Sequence, residues 1–169
     1  GRIQGGQRDS GAFDVADSCA SFATALDAAA RMVSGDASLR YAVVVGVYDM
    51  PAHVRPGDAF GWSIFADGAG AVVLERVGDY YASGYVTGHQ VADGTQWNYV
   101  GVYAGGTRKP VTRELLESGQ YGLELLQRLP GDRNVRLWPP LVRATLERAG
   151  KTLGDLGHVI FTQINRSVI

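Results

Sequence analysis

The chain has 169 residues, a hydrophobic share of 46%, a charged share of 20% and a formal net charge of -1 at pH 7. This composition is ordinary for a globular protein with a sizeable core, and the charge gives no general reason to expect nucleic acid or an anionic membrane as partner. The longest apolar run, residues 41–48, is too short to cross a bilayer, and no secretory signal is visible. Because one cysteine cannot form an internal disulfide, we expect a cytoplasmic protein.

The stretch that contains this cysteine predicts a helix. Residues 13–15 favour a short strand, after which Asp17 or Ser18 can act as an N-cap. Apolar residues then recur at helical spacing, namely Phe22, Ala23, Leu26, Ala29, Ala30 and Val33. Gly35 suits the left-handed position just after a helix. The spacing therefore places Cys19 in the first turn of a helix.

The middle of the chain favours strands. The β-branched run at 40–49 predicts a strand buried on both faces. Residues 50–61 contain two prolines and two glycines and predict a loop. Residues 62–77 predict a strand, a glycine turn and a second strand, and weak strands are expected near 84–88 and 97–103.

The last part of the chain predicts two helices and a strand. Residues 113–129 look helical but are interrupted by two glycines. Residues 139–150 predict a helix with proline in its first turn and Gly150 at its end. Residues 157–165 predict a buried strand that runs into a polar turn.

Cysteine chemistry depends on ionisation, because the thiolate is the nucleophile and an ordinary thiol is mostly protonated at neutral pH. At the start of a helix, the dipole and the unpaired amides favour the thiolate. The same amides can hold the oxyanion that develops when sulfur attacks a carbonyl. From the residues alone two interpretations of Cys19 stay open, a small buried hydrophobe and a reactive nucleophile.

Several motifs favour the second interpretation. The segments "AFDVADSCASFATALDAAARMVSGDASLRYAVVVG" and "FADGAGAVVLE", followed by "GHQVADG", "GGTRKP" and "LGDLGHVIFTQIN", resemble the β-ketoacyl synthase III branch of the thiolase superfamily. The resemblance follows nearly the whole chain in order. It implies an α/β thiolase-like layered fold (αβαβα), incomplete in this chain, with Cys19 as the acyl-accepting nucleophile.

The resemblance also divides the chain. Residues 1–78 correspond to the later part of the first thiolase-like half, 79–130 to a connecting segment, and 131–169 to the start of the second half. It implies no bound cofactor, a coenzyme A or phosphopantetheine thioester as substrate, and therefore acyl-CoA or acyl carrier protein as partner. A homodimer that pairs through residues 71–77 is expected, and neither nucleic acid nor membrane.

Five further residues take roles from the resemblance. Trp138, Gly68 and Gly70 are expected to contact substrate, and Asn165 is a motif residue with a structural role. Thr162 stands where the family has its catalytic histidine, which helps to stabilise the enolate formed on decarboxylation. Since threonine cannot become cationic and donates a weaker hydrogen bond to such a charge, acyl transfer to oxygen or nitrogen is favoured over Claisen condensation.

Three functions therefore remain in view. The first is an acyltransferase that loads Cys19 from a thioester and passes the acyl group to a second substrate. The second is a decarboxylative Claisen-condensing synthase, in which His89 or a residue beyond Ile169 replaces the missing histidine. The third is a catalytically silent subunit that dimerises with an active one.

Other motifs have plainer explanations. The "DGAGAV" sequence lacks a third glycine and precedes a strand, so it does not predict a dinucleotide site. His53 and His158 are expected at the surface, and no histidine and cysteine spacing predicts a metal site. A basic cluster can dock an acidic carrier protein or coenzyme A phosphates, or form a solvated helix face; it comprises Arg128, Arg133, Arg136, Arg143, Arg148 and Lys151.

Overall fold

The computed structural model describes residues 10–78 and 83–163. The helices are α1 (Ser21–Gly35), α2 (Ala59–Ile64), α3 (Arg113–Glu117) and α4 (Arg133–Arg148). The strands are β1 (Tyr41–Tyr48), β2 (Gly68–Glu75), β3 (Val100–Gly101) and β4 (Glu124–Leu125). Short 3-10 turns lie at Ser18–Ala20, Met50–His53, Gly94–Gln96 and Leu153–Asp155. No helix in these two stretches has the length and apolar character that a membrane crossing needs.

The helix α1 packs on a two-stranded sheet. β1 and β2 pair antiparallel over eight residues each, from Tyr41 opposite Glu75 to Tyr48 opposite Gly68. Ala30 and Val33 of α1 and Val44 of β1 are buried, which fits the predicted apolar spacing. The strand prediction at 40–49 is confirmed in its position.

One glycine sets how closely helix and sheet approach. A Cβ built on Gly46 would lie 3.1 Å from the ring of Phe22, the second residue of α1. At the other end of the unit, Arg76 donates from Nε to the carbonyl of Val33 (2.9 Å) and from Nη2 to that of Leu39 (3.0 Å). Both carbonyls lie in or beyond the last turn of α1. Carbonyls at a helix end have no N–H group of the same helix to bond to, so Arg76 supplies the donors.

Only one face of β1 is covered, so the prediction of burial on both faces is wrong. Val44 faces the helix, whereas Val43, Val45 and Val47 on the opposite face are 62%, 51% and 74% exposed. Strand residues alternate between faces, and no described element packs on the second face. A continuous apolar run signals two-sided burial only where a second layer is present.

The start of α1 differs from the prediction. Residues 13–15 form no strand, and Cys19 lies in the 3-10 turn that leads into α1. Asp17 makes no capping bond to the backbone, because its carboxylate accepts a hydrogen bond from Thr24 Oγ1 at 2.7 Å. Ser18 is the first residue of the turn and does not cap the helix either.

The end of α1 also differs. Gly35 is the last helical residue and lacks a positive φ, so it does not occupy the left-handed position. The chain leaves the helix at Asp36, whose N–H donates to the carbonyl of Met32 at 3.0 Å. The Asp36 carboxylate then accepts from the N–H and hydroxyl of Ser38. Because Ser38 makes these bonds, the pKa of Asp36 is lowered.

The segment between the strands contains a helix where a loop and a strand were predicted. Asp58 caps α2 by accepting from the N–H groups of Phe60 and Gly61, both at 3.1 Å. A Cβ on Gly61 would lie 2.6 Å from Val54, so the helix fits closely against that residue. β2 then begins directly at Gly68, and the predicted glycine turn is part of the strand.

Later elements are shorter or longer than predicted. In 84–88 no strand forms, and only β3 remains of the second weak strand. The helix predicted over 113–129 is reduced to α3, and Gly119 follows with a φ of +69°. β3 pairs with β4, which lies in the remainder of that range.

The helix α4 begins six residues before its predicted start, so Pro139 and Pro140 lie inside it. Gly150 ends it with a φ of +64°, as predicted. Residues 157–163 form no strand, because no described segment supplies hydrogen bonds to them; the rest of that predicted strand lies outside the described residues.

The close approach at Gly46 generates the first prediction. Gly46→Ala should lower the free energy of unfolding by about 1–3 kcal/mol, because the added methyl group must displace the Phe22 ring. Urea unfolding monitored by circular dichroism measures the difference. Gly70, the cross-strand partner of Gly46, has open space at its Cβ, so Gly70→Ala is the matched control. Equal losses in both variants would contradict the packing described.

Candidate active site

Cys19 is exposed and lies immediately before the first residues of α1. The preceding residue, Ser18, has a φ of +47°, a conformation that non-glycine residues rarely adopt. This bend lets the chain enter the helix abruptly. Among the described residues the thiol therefore lies exposed at the start of the helix and not in the interior, while its role as a nucleophile stays a prediction.

Side chains around the turn fix its shape. Ser21 Oγ accepts from the Asp17 N–H (2.8 Å) and donates to the Ser18 carbonyl (2.7 Å). Thr24 Oγ1 donates to the Asp17 carboxylate and accepts from Gln90 Nε2 at 3.2 Å. Asp17 is thus held by hydroxyl groups, and the segment of Gln90 is attached to the first turns of α1.

The structure places Tyr48 at the same end of the helix and sheet as Cys19, a placement that the sequence analysis missed. Tyr48 ends β1 and lies on the same face of the strand as Gly46, since residues two apart share a face. Gly46 of the strand approaches Phe22 of the helix. On one side of this contact the strand ends at Tyr48 and the helix begins next to the turn that contains Cys19. The Tyr48 ring also lies 6.0 Å from that of Phe65, between centroids.

The two groups are coupled electrostatically. Burial raises the pKa of Tyr48 above the ordinary value of 10.0, and the negative charge of the Cys19 thiolate raises it further. The phenol is protonated at neutral pH, as an ordinary tyrosine is, and the raised pKa only extends this state to higher pH. Tyr48 therefore offers a hydroxyl donor, and no second negative charge, at this end of the sheet.

The two glycines expected to contact substrate lie at the same end of the sheet. Gly68 pairs with Tyr48, and Gly70 pairs with Gly46. Both are exposed, and nothing lies within 4 Å of a Cβ built on either. The structure thus brings Gly68 close to the strand end that carries Tyr48, while their contact with a substrate stays a prediction.

Two of the other predicted site residues, Trp138 and Thr162, are connected through Phe161. Trp138, on α4, stacks on Phe161 with ring centroids 4.5 Å apart and planes 4° apart. Phe161 directly precedes Thr162, which is exposed. In the described residues no hydrogen bond joins Thr162 to Cys19, and Asn165 lies outside them. The aromatic partner of Trp138 in the described structure is a residue of this chain. The contact of Trp138 with substrate stays a prediction.

The histidines differ in their surroundings. His53 and His158 are exposed, as predicted. His89 is half-buried, and its Nδ1 is buried without a hydrogen-bond partner. It precedes Gln90, which reaches Thr24. Within the part of the chain that the structure describes, no cluster of side chains is arranged to hold a metal ion.

Two arginines of the basic cluster border a small open cavity of about 210 Å³. Arg133 Nε donates to Gln96 at 3.0 Å, and Arg136 Nε lies 3.1 Å from the Asp132 carboxylate. Asp93 also lines the cavity; hydrogen bonds from Thr95, and then the charge of Arg133, lower its pKa. The cavity therefore carries both signs of charge, and docking of an acidic carrier on this cluster stays a prediction.

Comparison with known proteins assigns the fold class first. The structure matches the crystal structure of 3-oxoacyl-(acyl carrier protein) synthase III from Pseudomonas aeruginosa PAO1 with a TM-score of 0.69. The two sequences are 24% identical, and the match covers 88% of this chain and 43% of the other. The chain therefore has the α/β thiolase-like fold that was predicted, incomplete in this chain.

The sequence comparisons point to one family. Residues 13–94 match the sequence model of the 3-oxoacyl-[acyl-carrier-protein] synthase III family. The chain is 33% identical over 165 residues to a β-ketoacyl-[acyl-carrier-protein] synthase III of Roseiflexus castenholzii and 32% identical over 167 residues to a 3-oxopimeloyl-[acyl-carrier-protein] synthase of Rhodothermus marinus. Each match covers 97% of this chain but only 49% and 47% of the relative.

Along 97% of its length the chain is thus similar to β-ketoacyl-acyl-carrier-protein synthase III proteins, the family that the motifs around Cys19 resemble. It spans about half the length of the curated relatives that it matches.

The coupling between Tyr48 and Cys19 gives the second prediction. Cys19→Ser removes the thiolate, so the pKa of Tyr48 should fall toward its usual value while the burial effect remains. Titration of the tyrosine ring carbons by NMR measures this change. Tyr41, at the opposite end of β1, serves as the internal control and should titrate alike in both proteins. An unchanged Tyr48 titration would show that the two groups do not interact.

Proposed function

We propose that the intact protein is an acyltransferase in which Cys19 takes an acyl group from a thioester and passes it to a second substrate. The exposed thiol at the start of α1 carries this proposal. The similarity of the chain to synthase III enzymes supports it. The donor is a thioester of coenzyme A or of the phosphopantetheine arm of an acyl carrier protein, and no bound cofactor takes part.

The first step forms a covalent intermediate. The Cys19 sulfur attacks the thioester carbonyl, the bond to the donor sulfur breaks, and the proton lost from Cys19 ends on the departing thiol. The two amides that follow Cys19 already have acceptors, since the Ala20 N–H donates to the Asp17 carbonyl at 3.0 Å and the Ser21 N–H donates to the Ser18 carbonyl, so an oxyanion needs another donor. The Tyr48 hydroxyl adds a protonated donor on the same side.

The second step releases the acyl group to an acceptor. An oxygen or nitrogen nucleophile attacks the acyl-cysteine carbonyl, the bond from this carbon to the Cys19 sulfur breaks, and the proton lost by the acceptor returns Cys19 to its thiol form. Thr162 favours such acceptors over a carbanion, because threonine offers no positive charge to an enolate. The competing proposal is decarboxylative Claisen condensation of the kind that the names of the relatives describe.

We also propose the setting in which this reaction occurs. An acyl carrier protein is the natural donor for fatty acid or polyketide biosynthesis, and the names of the relatives include this carrier. The protein is cytoplasmic and forms a homodimer. In the described residues β2 pairs with β1 alone, which leaves its other edge available to a second copy, as expected for residues 71–77.

A catalytically silent subunit is the third candidate. It would keep the fold and the dimer edge but would not use the thiol. The exposure of Cys19 argues against it, because a cysteine retained for packing alone is usually buried.

Acyl transfer to Cys19 gives the third prediction. Incubation of the intact protein with acyl-CoA should add the mass of the acyl group at the peptide that contains Cys19. Cys19→Ala should abolish the adduct, whereas Ser38→Ala, an exposed change in the turn after α1, should leave it unaffected. No adduct across a panel of acyl groups, or an adduct that survives Cys19→Ala, would contradict the proposal.

Release of carbon dioxide distinguishes the two chemistries and gives the fourth prediction. The acylated intact protein should release no carbon dioxide from malonyl-thioester, because Thr162 cannot stabilise the enolate as a cationic group would. Thr162→His should raise the release if the residue occupies the histidine position. Release by the unchanged protein would favour the condensing synthase instead.

A further inference from the structure

We propose that Thr24 and Gln90 are positioning residues for Cys19, because they hold the Asp17 carboxylate on a different side of the helix start from the thiol. The inference rests on the proposed function, since it concerns the reactivity of the same sulfur. It goes further because it assigns a task to two residues that the acyl transfer itself does not use.

Asp17 is a negative charge close to the nucleophile along the chain. It stands two residues before Cys19 and is exposed. A carboxylate beside a thiol disfavours the thiolate, because like charges repel, and the thiolate is the nucleophile. A reactive Cys19 therefore requires that the Asp17 carboxylate be directed elsewhere, and in the structure it accepts a hydrogen bond from Thr24 Oγ1 at 2.7 Å.

The period of the helix separates Thr24 from Cys19. Successive helical residues are rotated by about 100°, so the step from residue 19 to residue 24 turns through about 500°, or one full turn and about 140°. The tighter 3-10 turn at Ser18–Ala20 increases this angle. Thr24 and Cys19 therefore lie on different sides of the helix start, and the bonded Asp17 carboxylate lies on the side of Thr24.

Gln90 fixes the direction of the Thr24 hydroxyl. A threonine in a helix can instead donate to the carbonyl four residues earlier, which is that of Ala20. Here Thr24 Oγ1 accepts from Gln90 Nε2 at 3.2 Å and gives its own hydrogen to Asp17. Because a hydroxyl has a single hydrogen, the three groups form one chain of donors that ends on the Asp17 carboxylate.

The segment that carries Gln90 lies closely along α1. A Cβ built on Gly88 would lie 2.5 Å from Asp27 Oδ1, so no side chain separates this segment from the helix. Asp27 also accepts from the Tyr85 hydroxyl. Arg148 of α4 donates to the Gly88 carbonyl at 3.4 Å. The segment is thus attached to both helices, which gives Gln90 a defined place from which to reach Thr24.

The rate at which iodoacetamide alkylates Cys19 at pH 7 tests the inference, measured in the intact protein by the mass of the Cys19 peptide. Thr24→Val keeps the shape of the side chain but frees Asp17. It should slow alkylation, and acylation by acetyl-CoA, about threefold or more, since a unit charge a few ångströms away at a partly exposed site has an energy of this order. Thr24→Ser keeps the hydroxyl and should restore both rates.

The matched control is Thr145→Val. It removes another threonine hydroxyl of a helix, the one that donates to the Leu141 carbonyl in α4, and should leave both rates unchanged. The other titratable side chains at this end of the unit are the same in every variant; they are Asp14, Tyr48, Asp49, Asp67 and His89.

Asp17→Asn separates the effect of charge from a structural role. Added to Thr24→Val, it removes the freed negative charge and should restore both rates, whereas a loss of structure would not be relieved. Gln90→Met removes the amide donor at an exposed position and should slow both reactions too. It tests the inference even if Thr24→Val fails to fold.

The outcomes distinguish this inference from the proposed function. Unchanged rates in Thr24→Val or in Gln90→Met overturn the inference, as does a loss in Thr24→Val that Asp17→Asn fails to relieve. Absence of acylation in the unchanged protein, with alkylation that still depends on Thr24, overturns the proposed function and supports the control of the thiol by these residues.

Discussion

The contact between the Phe22 ring and the glycine at position 46 is the constraint on which the site depends. A side chain at position 46 would meet this ring at 3.1 Å, so the absence of a Cβ lets the first turn of α1 lie directly on β1. The helix start and the strand end are then fixed against each other. This approach, and not any motif around the cysteine, brings Tyr48 to the same end of the unit as Cys19.

This arrangement combines an accessible thiol with a defined surrounding. Ser21 accepts from the Asp17 N–H and donates to the Ser18 carbonyl, and Thr24 donates to the Asp17 carboxylate. These bonds hold the turn before α1, while Cys19 itself remains exposed. An acyl donor can therefore reach the sulfur without any rearrangement of the described residues.

Patterns that depend on local chemistry were readable from the sequence, and those that depend on distant partners were not. The spacing of Ala30 and Val33 predicted the buried face of α1, and Gly150 predicted the end of α4. Burial on both faces of β1 and the strand at 157–165 were wrong, because each needs a neighbouring layer or strand that no described residue supplies. The glycines of β2 looked like a turn, but their pairing with β1 makes them part of the sheet.

Of the candidate site, the sequence identified Cys19 but not Tyr48. A usable signal was present: residues 18–35 as helix and the strand 41–48 each span about 27 Å, with a short turn between them. Equal lengths bring the start of one element to the end of the other. No such signal predicts the position of Thr162 relative to Cys19. The stack of Trp138 on Phe161 was not predicted either, because α4 extends through its two prolines and includes Trp138.

The most direct test of the account is the rate at which acetyl-CoA acylates Cys19 when the helix is moved away from the strand. Gly46→Ala should slow this reaction about tenfold or more, because small displacements of a reacting group are costly. Gly35→Ala adds a methyl group to the same unit at a point with open space and should react at the original rate. Equal rates in the two folded variants would contradict the claim that the contact at position 46 creates the site.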